Sequence, residues 1–146
     1  MNIQNGISLL IAAIVAWIAY GQYHTNLQNH RFALYDKRFK VFIALMEFLS
    51  HIIREADINQ AVLTNFLINT NEAYFLFGQD NEIEQYLKLV TSKATELRMT
   101  NRKLSSDLPI GKERTELAKK DEELCTWFYN QIDISKKLFG KYLIIK

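Results

Sequence analysis

Thirty residues pass before the first Asp, Glu, Lys or Arg, which is Arg31, and within them Ile7 to Tyr20 (ISLLIAAIVAWIAY) is apolar apart from Ser8. A helix that is apolar all round is unstable in water and stable in lipid or a large protein core. This stretch therefore predicts a membrane segment, and the rest of the chain has to be read around it. The fourteen residues cover only about 21 Å as a helix, less than the roughly 30 Å hydrocarbon layer. The uncharged flanks from Ile3 to Tyr23 extend it to about 31 Å. Ile7, Leu10, Ile14, Trp17 and Tyr20 are the expected membrane-spanning residues, with Gln4, Asn5 and Gln22 near the interfaces. Trp17, Tyr20 and Tyr23 supply an aromatic belt. A cleaved secretory signal calls for a basic region before the apolar run and a small-x-small site after it. The sequence has neither, so a retained anchor is expected.

Charge asymmetry sets the expected orientation, because Lys and Arg accumulate on the cytoplasmic side of a span. Arg31, Lys37, Arg38 and Lys40 follow the anchor and no cation precedes it beyond the α-amino group. This predicts a short N-terminus outside and a cytoplasmic body. The lone cysteine, Cys125, has no internal partner, which agrees with a reducing compartment. Two parts are expected: residues 1–30 as transmembrane anchor and juxtamembrane segment, and residues 31–146 as one helical domain. A formal net charge of +2 gives no ground for a nucleic-acid partner.

The fold expected is all-α, an N-terminal transmembrane helix followed by an up-down four-helix bundle. Phe32, Tyr35, Phe39, Phe42, Met46, Leu49 and Ile53 recur at 3,4 spacing and predict one buried face, with Val41, Leu45, Phe48 and Ile52 as a second row beside it. A face that wide suits a bundle better than a two-stranded seam. Asp57 and Gln60 have capping-box spacing, which predicts a turn near Ala56 and a helix from Ile58. That helix carries Val62, Leu63, Phe66, Leu67, Ala73, Tyr74 and Phe77, is interrupted near 69–71, and stops at Gly78. Asp80 is the expected cap of a third helix bearing Ile83, Leu87, Val90, Ala94, Leu97 and Leu104, with Asn101 in the remaining slot. Ser105, Ser106, Asp107 and Pro109 to Gly111 break it. A fourth helix, about Lys112 to Phe139, is expected to bury Leu117, Leu124, Phe128 and Leu138, with Trp127 and Ile134 adjoining. In an up-down order its end returns to the bilayer surface.

That return gives the C-terminal lysines a reading. Lys136, Lys137, Lys141 and Lys146, together with Arg31, Lys37, Arg38 and Lys40, are possible contacts for anionic headgroups, worth about 1 kcal/mol per charge close to the surface. The same lysines read equally as solvated cations at a helix end. Glu47, His51 and Glu55 at i, i+4 and i+8 are the best candidate metal set; they fall about 100°, 140° and 180° from Met46, on the outer face, and read as solvated surface. Cys125 has no histidine nearby in sequence and reads as a small buried residue. Ser8, Ala12, Ala16 and Ala19 form a small-residue row in the anchor that permits close helix approach and self-association. Asp36, Lys37, Arg38, Arg54 and Glu55 can serve partner contacts or structural ion pairs. No phosphate loop, nucleophile elbow or Cys-x-x-Cys pair is present, so no catalytic residue, cofactor site or metal site is assigned.

The runs Tyr35-Asp36-Lys37-Arg38-Phe39-Lys40-Val41-Phe42, Phe48 to Glu55, Phe75-Leu76-Phe77-Gly78 and Ile83 to Leu87 resemble a family of uncharacterised small bacterial proteins with one N-terminal transmembrane helix and a helical cytoplasmic body. The likeness extends to Ala94 to Arg98 and to the Pro109 to Arg114 turn. It implies a bacterial, membrane-anchored protein and carries over no functional residue. The expectation is a non-enzymatic, single-pass inner-membrane protein whose helical domain binds a protein partner or itself. The alternative is a membrane-acting effector of the stress or phage-defence type that perturbs the bilayer on oligomerisation.

Overall fold

The computed structural model describes residues 3–78, 82–106 and 109–144. The described chain is all-helical: α1 (Ile3–Glu55), α2 (Gln60–Thr70), α3 (Ala73–Phe77), α4 (Glu82–Leu104) and α5 (Lys112–Gly140), with no strand among the described residues. Asp80, Asp107 and Lys146 lie outside the described residues. The expected boundary at 30/31 falls inside α1, which runs on without a break. Contacts divide the chain into a unit up to Asp36 and a unit that begins at Lys37.

The first unit is helix alone. The second has a core drawn from every helix: Val41, Leu45, Phe48, Leu49 and Ile52 of α1, Leu63 and Phe66 of α2, and Ala73 and Phe77 of α3. Ile83, Tyr86, Leu87, Val90, Ala94 and Leu97 of α4, Leu124, Phe128 and Phe139 of α5, and Ile58 ahead of α2 complete it. The row expected to be secondary, Val41, Leu45, Phe48 and Ile52, is the centre of the α1 face, at 0–3% exposure. Of the row expected to lead, only Leu49 is fully buried. Phe42 and Met46 pack at the edge, Tyr35 is half-buried, and Phe32, Phe39 and Ile53 are exposed. Two apolar rows side by side share one broad face, and spacing alone does not say which of them meets the neighbouring helices.

The α1–α2 corner falls at Ala56 as expected, but the cap of α2 is another residue than the one expected. Ala56 adopts a left-handed conformation (φ 51°) that ordinarily favours Gly. It is held there by Asn101 of α4, whose Nδ2 donates to the Ala56 carbonyl at 2.9 Å and to Asp57 Oδ1 at 3.1 Å. Asp57 Oδ1 also accepts the Ile58 N–H at 2.7 Å, so it is occupied within the corner. Asn59 is the residue that caps α2, accepting the Val62 N–H at 2.9 Å, and the helix starts at Gln60 in place of the expected Ile58. The interruption after Thr70 and the stop at Gly78 occur as the sequence implies. Gly78 has φ 92°, a backbone setting that costs a residue without Cβ little.

Two ends of the second unit are tied differently. At one, the Phe139 ring lies 5.4 Å from Phe42 and 5.5 Å from Phe77, and Phe77 also meets Tyr142 edge-on at 5.5 Å. At the other, Asn101 clamps the Ala56 corner. Between them Phe48 stacks on Phe66 at 4.2 Å, and α4 packs along α5 with further contacts to α2 and α3.

On α5 the buried row is Leu124, Phe128, Gln131, Ser135 and Phe139. Leu138, Leu117 and Trp127 are half-buried and Ile134 is exposed. This departs from the expected row at both ends: Leu117 is not fully buried, and Phe139 takes the place of Leu138 as two polar residues occupy interior positions. Tyr86 of α4 accounts for them. Its hydroxyl lies 2.8 Å from Ser135 Oγ and 3.1 Å from Gln131 Oε1. Ser135 donates to the Gln131 carbonyl at 2.6 Å, and Gln131 Nε2 donates to the Trp127 carbonyl at 3.1 Å. Tyr86, Gln131 and Ser135 thus each have a partner, the condition under which such groups are tolerated in a core.

Candidate functional site

The strongest functional signal is the surface of the first unit. Ile7, Leu10, Ile11, Ile14, Val15, Trp17 and Ile18 are each 51–80% exposed, and Ser8, Ala12, Ala16 and Ala19 are exposed on the same helix. Monomeric soluble proteins rarely expose that much contiguous apolar surface. By length and composition α1 is able to cross a membrane. The Thr25 hydroxyl donates to the Gly21 carbonyl at 2.9 Å, which keeps a polar side chain satisfied next to the apolar stretch.

The cations read from the sequence as headgroup contacts have separate roles. Arg38 is a structural clamp: its Nε donates to the Leu76 carbonyl at 3.0 Å, and its guanidinium stands over the Phe77 ring at 5.5 Å. It satisfies a carbonyl at the C-terminal end of α3 and fastens that short helix to α1. Lys141 Nζ is 2.7 Å from Glu82 Oε2 and ties the end of α5 to the start of α4; that hydrogen bond and charge raise the Lys141 pKa. Lys136 stands 3.8 Å from Asp133. Arg31, Lys37, Lys40 and Lys137 are exposed.

Of the set Glu47, His51 and Glu55, the two glutamates are exposed as expected. His51 is half-buried, and with Glu47 it borders a depression of about 180 Å³ against Val62, Asn65 and Asn69 of α2. Glu55 turns to Arg54 instead, at 2.7 Å, and the Arg54 hydrogen bond and charge hold its carboxyl below the usual range. Among the described residues no group of three His, Cys, Asp or Glu side chains is placed to hold a metal ion.

Cys125 is half-buried, and burial, followed by the nearby Asp121 charge, pushes its thiol pKa up, the opposite of what an activated nucleophile needs. Asp121 is itself raised, first by burial and then by Asp57, and its Oδ1 is buried without a hydrogen-bond partner. An open groove of about 940 Å³ runs between α4 and α5, lined among others by Thr95, Met99, Arg102, Lys103 and Lys120. Its one acid, Glu96, is already bonded to Lys120 at 2.8 Å and Lys93 at 3.0 Å, and these two lysines lower its pKa. The hydroxyls of Thr95, Thr100 and Ser106 donate to carbonyls of their own helix.

Sequence reasoning offered Arg38 an ion pair where it holds a carbonyl and a ring, and missed Asn101 and the Tyr86 group as structural residues. For Asn101 a signal existed, a polar residue in the one vacant slot of an apolar row. No protein-family model matches the chain, and no curated protein and no solved structure matches it significantly.

Proposed function

We propose that this chain is a single-pass membrane protein of the bacterial inner membrane, with its N-terminus outside and its helical domain in the cytoplasm. In this reading the domain is a non-enzymatic module for binding a protein partner or a second copy. The observation that carries it is the exposed apolar surface from Ile7 to Ile18, which lipid would cover. Orientation rests on Arg31, Lys37, Arg38 and Lys40, and the bacterial assignment rests on the family resemblance alone. The finer architecture, an up-down four-helix bundle over residues 31–146 behind an anchor over 1–30, is supported by the end contacts. The end of α5 meets Phe42 near the start of the second unit, while Asn101, late in α4, meets Ala56 at the end of α1.

Alkaline carbonate extraction and reporter fusions test the reading. The full chain should remain with the membrane pellet, a C-terminal green fluorescent protein should fluoresce, and a C-terminal alkaline phosphatase should be inactive. Recovery in the soluble fraction, or an active phosphatase, overturns it. The small-residue row Ser8, Ala12, Ala16 and Ala19 gives the bilayer-perturbing effector its support as a second reading. Growth arrest on overexpression that disappears when residues 1–23 are deleted would favour the effector over the interaction module.

A further inference from the structure

We infer that α1 opens and recloses across His24 to His30, so that this stretch is a hinge built into the helix outside the membrane. This goes beyond the module reading by adding a conformational device to it. It rests on the anchor reading, which puts lipid around Ile7 to Ile18 and water around the residues that follow Tyr23.

Every residue from Gly21 to Leu34 is exposed, and the stretch belongs wholly to the first unit, so the core of the second unit lends it no packing. Helices in proteins draw most of their stability from such packing. Lipid, which obliges a backbone to close its hydrogen bonds within the helix, ends near Tyr23 in the anchor reading. Side chains give little help. From Gly21 to His30 there is no Asp, Glu, Lys or Arg, so no ion pair one turn apart forms within it, and Leu27 is its one aliphatic residue. The Thr25 hydroxyl donates to the Gly21 carbonyl at 2.9 Å, where it competes with the backbone for that acceptor and favours a bend.

Composition then works against the helix. His24, Thr25, Asn26, Asn29 and His30 are weak formers, each lowering the helix about threefold relative to alanine. Multiplied, these come to roughly 250-fold, which is of the same order as the roughly 250- to 1000-fold that starting a helix afresh beyond an opened stretch costs. The open form is therefore a populated one. On either side the helix is supported, by lipid from Ile7 to Ile18 in the anchor reading and by the core from Val41 onward. Opened, the seven residues from His24 to His30 reach up to about 24 Å, in place of about 10 Å as helix. The helical domain thereby meets a partner over a range of orientations while the anchor stays in lipid.

Hydrogen–deuterium exchange of the full chain in nanodiscs tests this. Amides of residues 24–30 should exchange at least about 100-fold faster than those of residues 41–52, which open only with the core. The combined variant His24→Ala/Thr25→Ala/Asn26→Ala/Asn29→Ala/His30→Ala should slow exchange at 24–30 about tenfold or more and leave 41–52 unchanged. These five side chains are exposed, so their replacement removes no packing and the domain folds as before. Protection of 24–30 equal to that of 41–52 overturns the hinge. So does exchange at 24–30 that the alanine replacements leave unchanged, because composition would then not be its cause. Carbonate extraction of membranes holding the same chain separates the two layers of the claim: protein in the supernatant sinks the anchor reading, whereas pelleted protein with a protected 24–30 stretch sinks only the hinge.

Discussion

The two parts of α1, before and after Lys37, are the same helix in backbone and differ in how their apolar residues are distributed around it. Before Lys37 the described side chains from Ile7 to Ile18 are apolar apart from Ser8 and are exposed on every side. After Lys37, Val41, Leu45, Phe48 and Ile52 collect on one side at 0–3% exposure, while Glu47, Ser50 and Arg54 are exposed. Counting apolar residues would rank the two stretches together. Their angular distribution separates a surface that lipid would cover from one that other helices cover.

The largest effect that tests this contrast comes from deleting a large side chain in each unit. Phe128→Ala, in the second unit, should cost about 3–5 kcal/mol in chemical denaturation, as a fully buried aromatic does. Ile14→Ala, at 57% exposure, should leave the denaturation midpoint where it was. Equal losses would mean that the first unit is packed against the second and that the contrast is false.

A smaller effect sharpens the boundary between the two stretches, where neighbouring cations have opposite fates. Arg38→Ala should destabilise the domain by about 1–3 kcal/mol through the lost charge-assisted hydrogen bond and ring contact. Lys37→Ala, an exposed surface change, should stay within about 0.5 kcal/mol. Thermal melts of the two variants in one detergent decide it. Identical melts would remove Arg38 from the structural clamp and return it to the headgroup contacts.

The smallest effect is a pair of opposite pH trends within the second unit. Asp121 has a folded pKa raised above its ordinary 3.8. Its protonated form is favoured by the fold, so stability declines as pH rises from that value toward the raised one, and Asp121→Asn should flatten the decline. Glu96 has a folded pKa lowered from 4.5. Its contribution is present above 4.5 and is lost as pH falls through the lowered value, and Glu96→Gln should remove that acid-side loss, an effect below about 1 kcal/mol. Melting temperatures across acid to neutral pH that shift in the same sense for both variants would contradict the assignment.

Much of the helical layout was legible because its signals are local. Gly78 ends α3, Pro109 to Gly111 separates α4 from α5, and Ile83, Leu87, Val90, Ala94 and Leu97 are buried as one face. The misplacements have one cause, which is that long-range partners decide between local options of similar strength. Asp57 and Asn59 were both able to cap α2; Asn101, 44 residues away from Asp57, engages Asp57 and leaves the cap to Asn59. Leu138 and Phe139 are adjacent, and the Tyr86 hydroxyl, by drawing Gln131 and Ser135 inward, selects the row that ends in Phe139. The candidate site was legible where it depends on composition, in the exposed apolar residues of the first unit. It was not legible where it depends on contacts, as with Arg38 and the Glu47–His51 edge.

The Tyr86, Gln131 and Ser135 trio gives the α4–α5 pair a single setting. Sliding one helix by a turn, about 5.4 Å, would bring these polar groups opposite hydrocarbon and leave each unsatisfied at about 1–3 kcal/mol, whereas a purely aliphatic interface would tolerate the slip. A descendant that replaced the trio with leucines would hold together at least as firmly and would lose its means of telling the correct alignment from its neighbours.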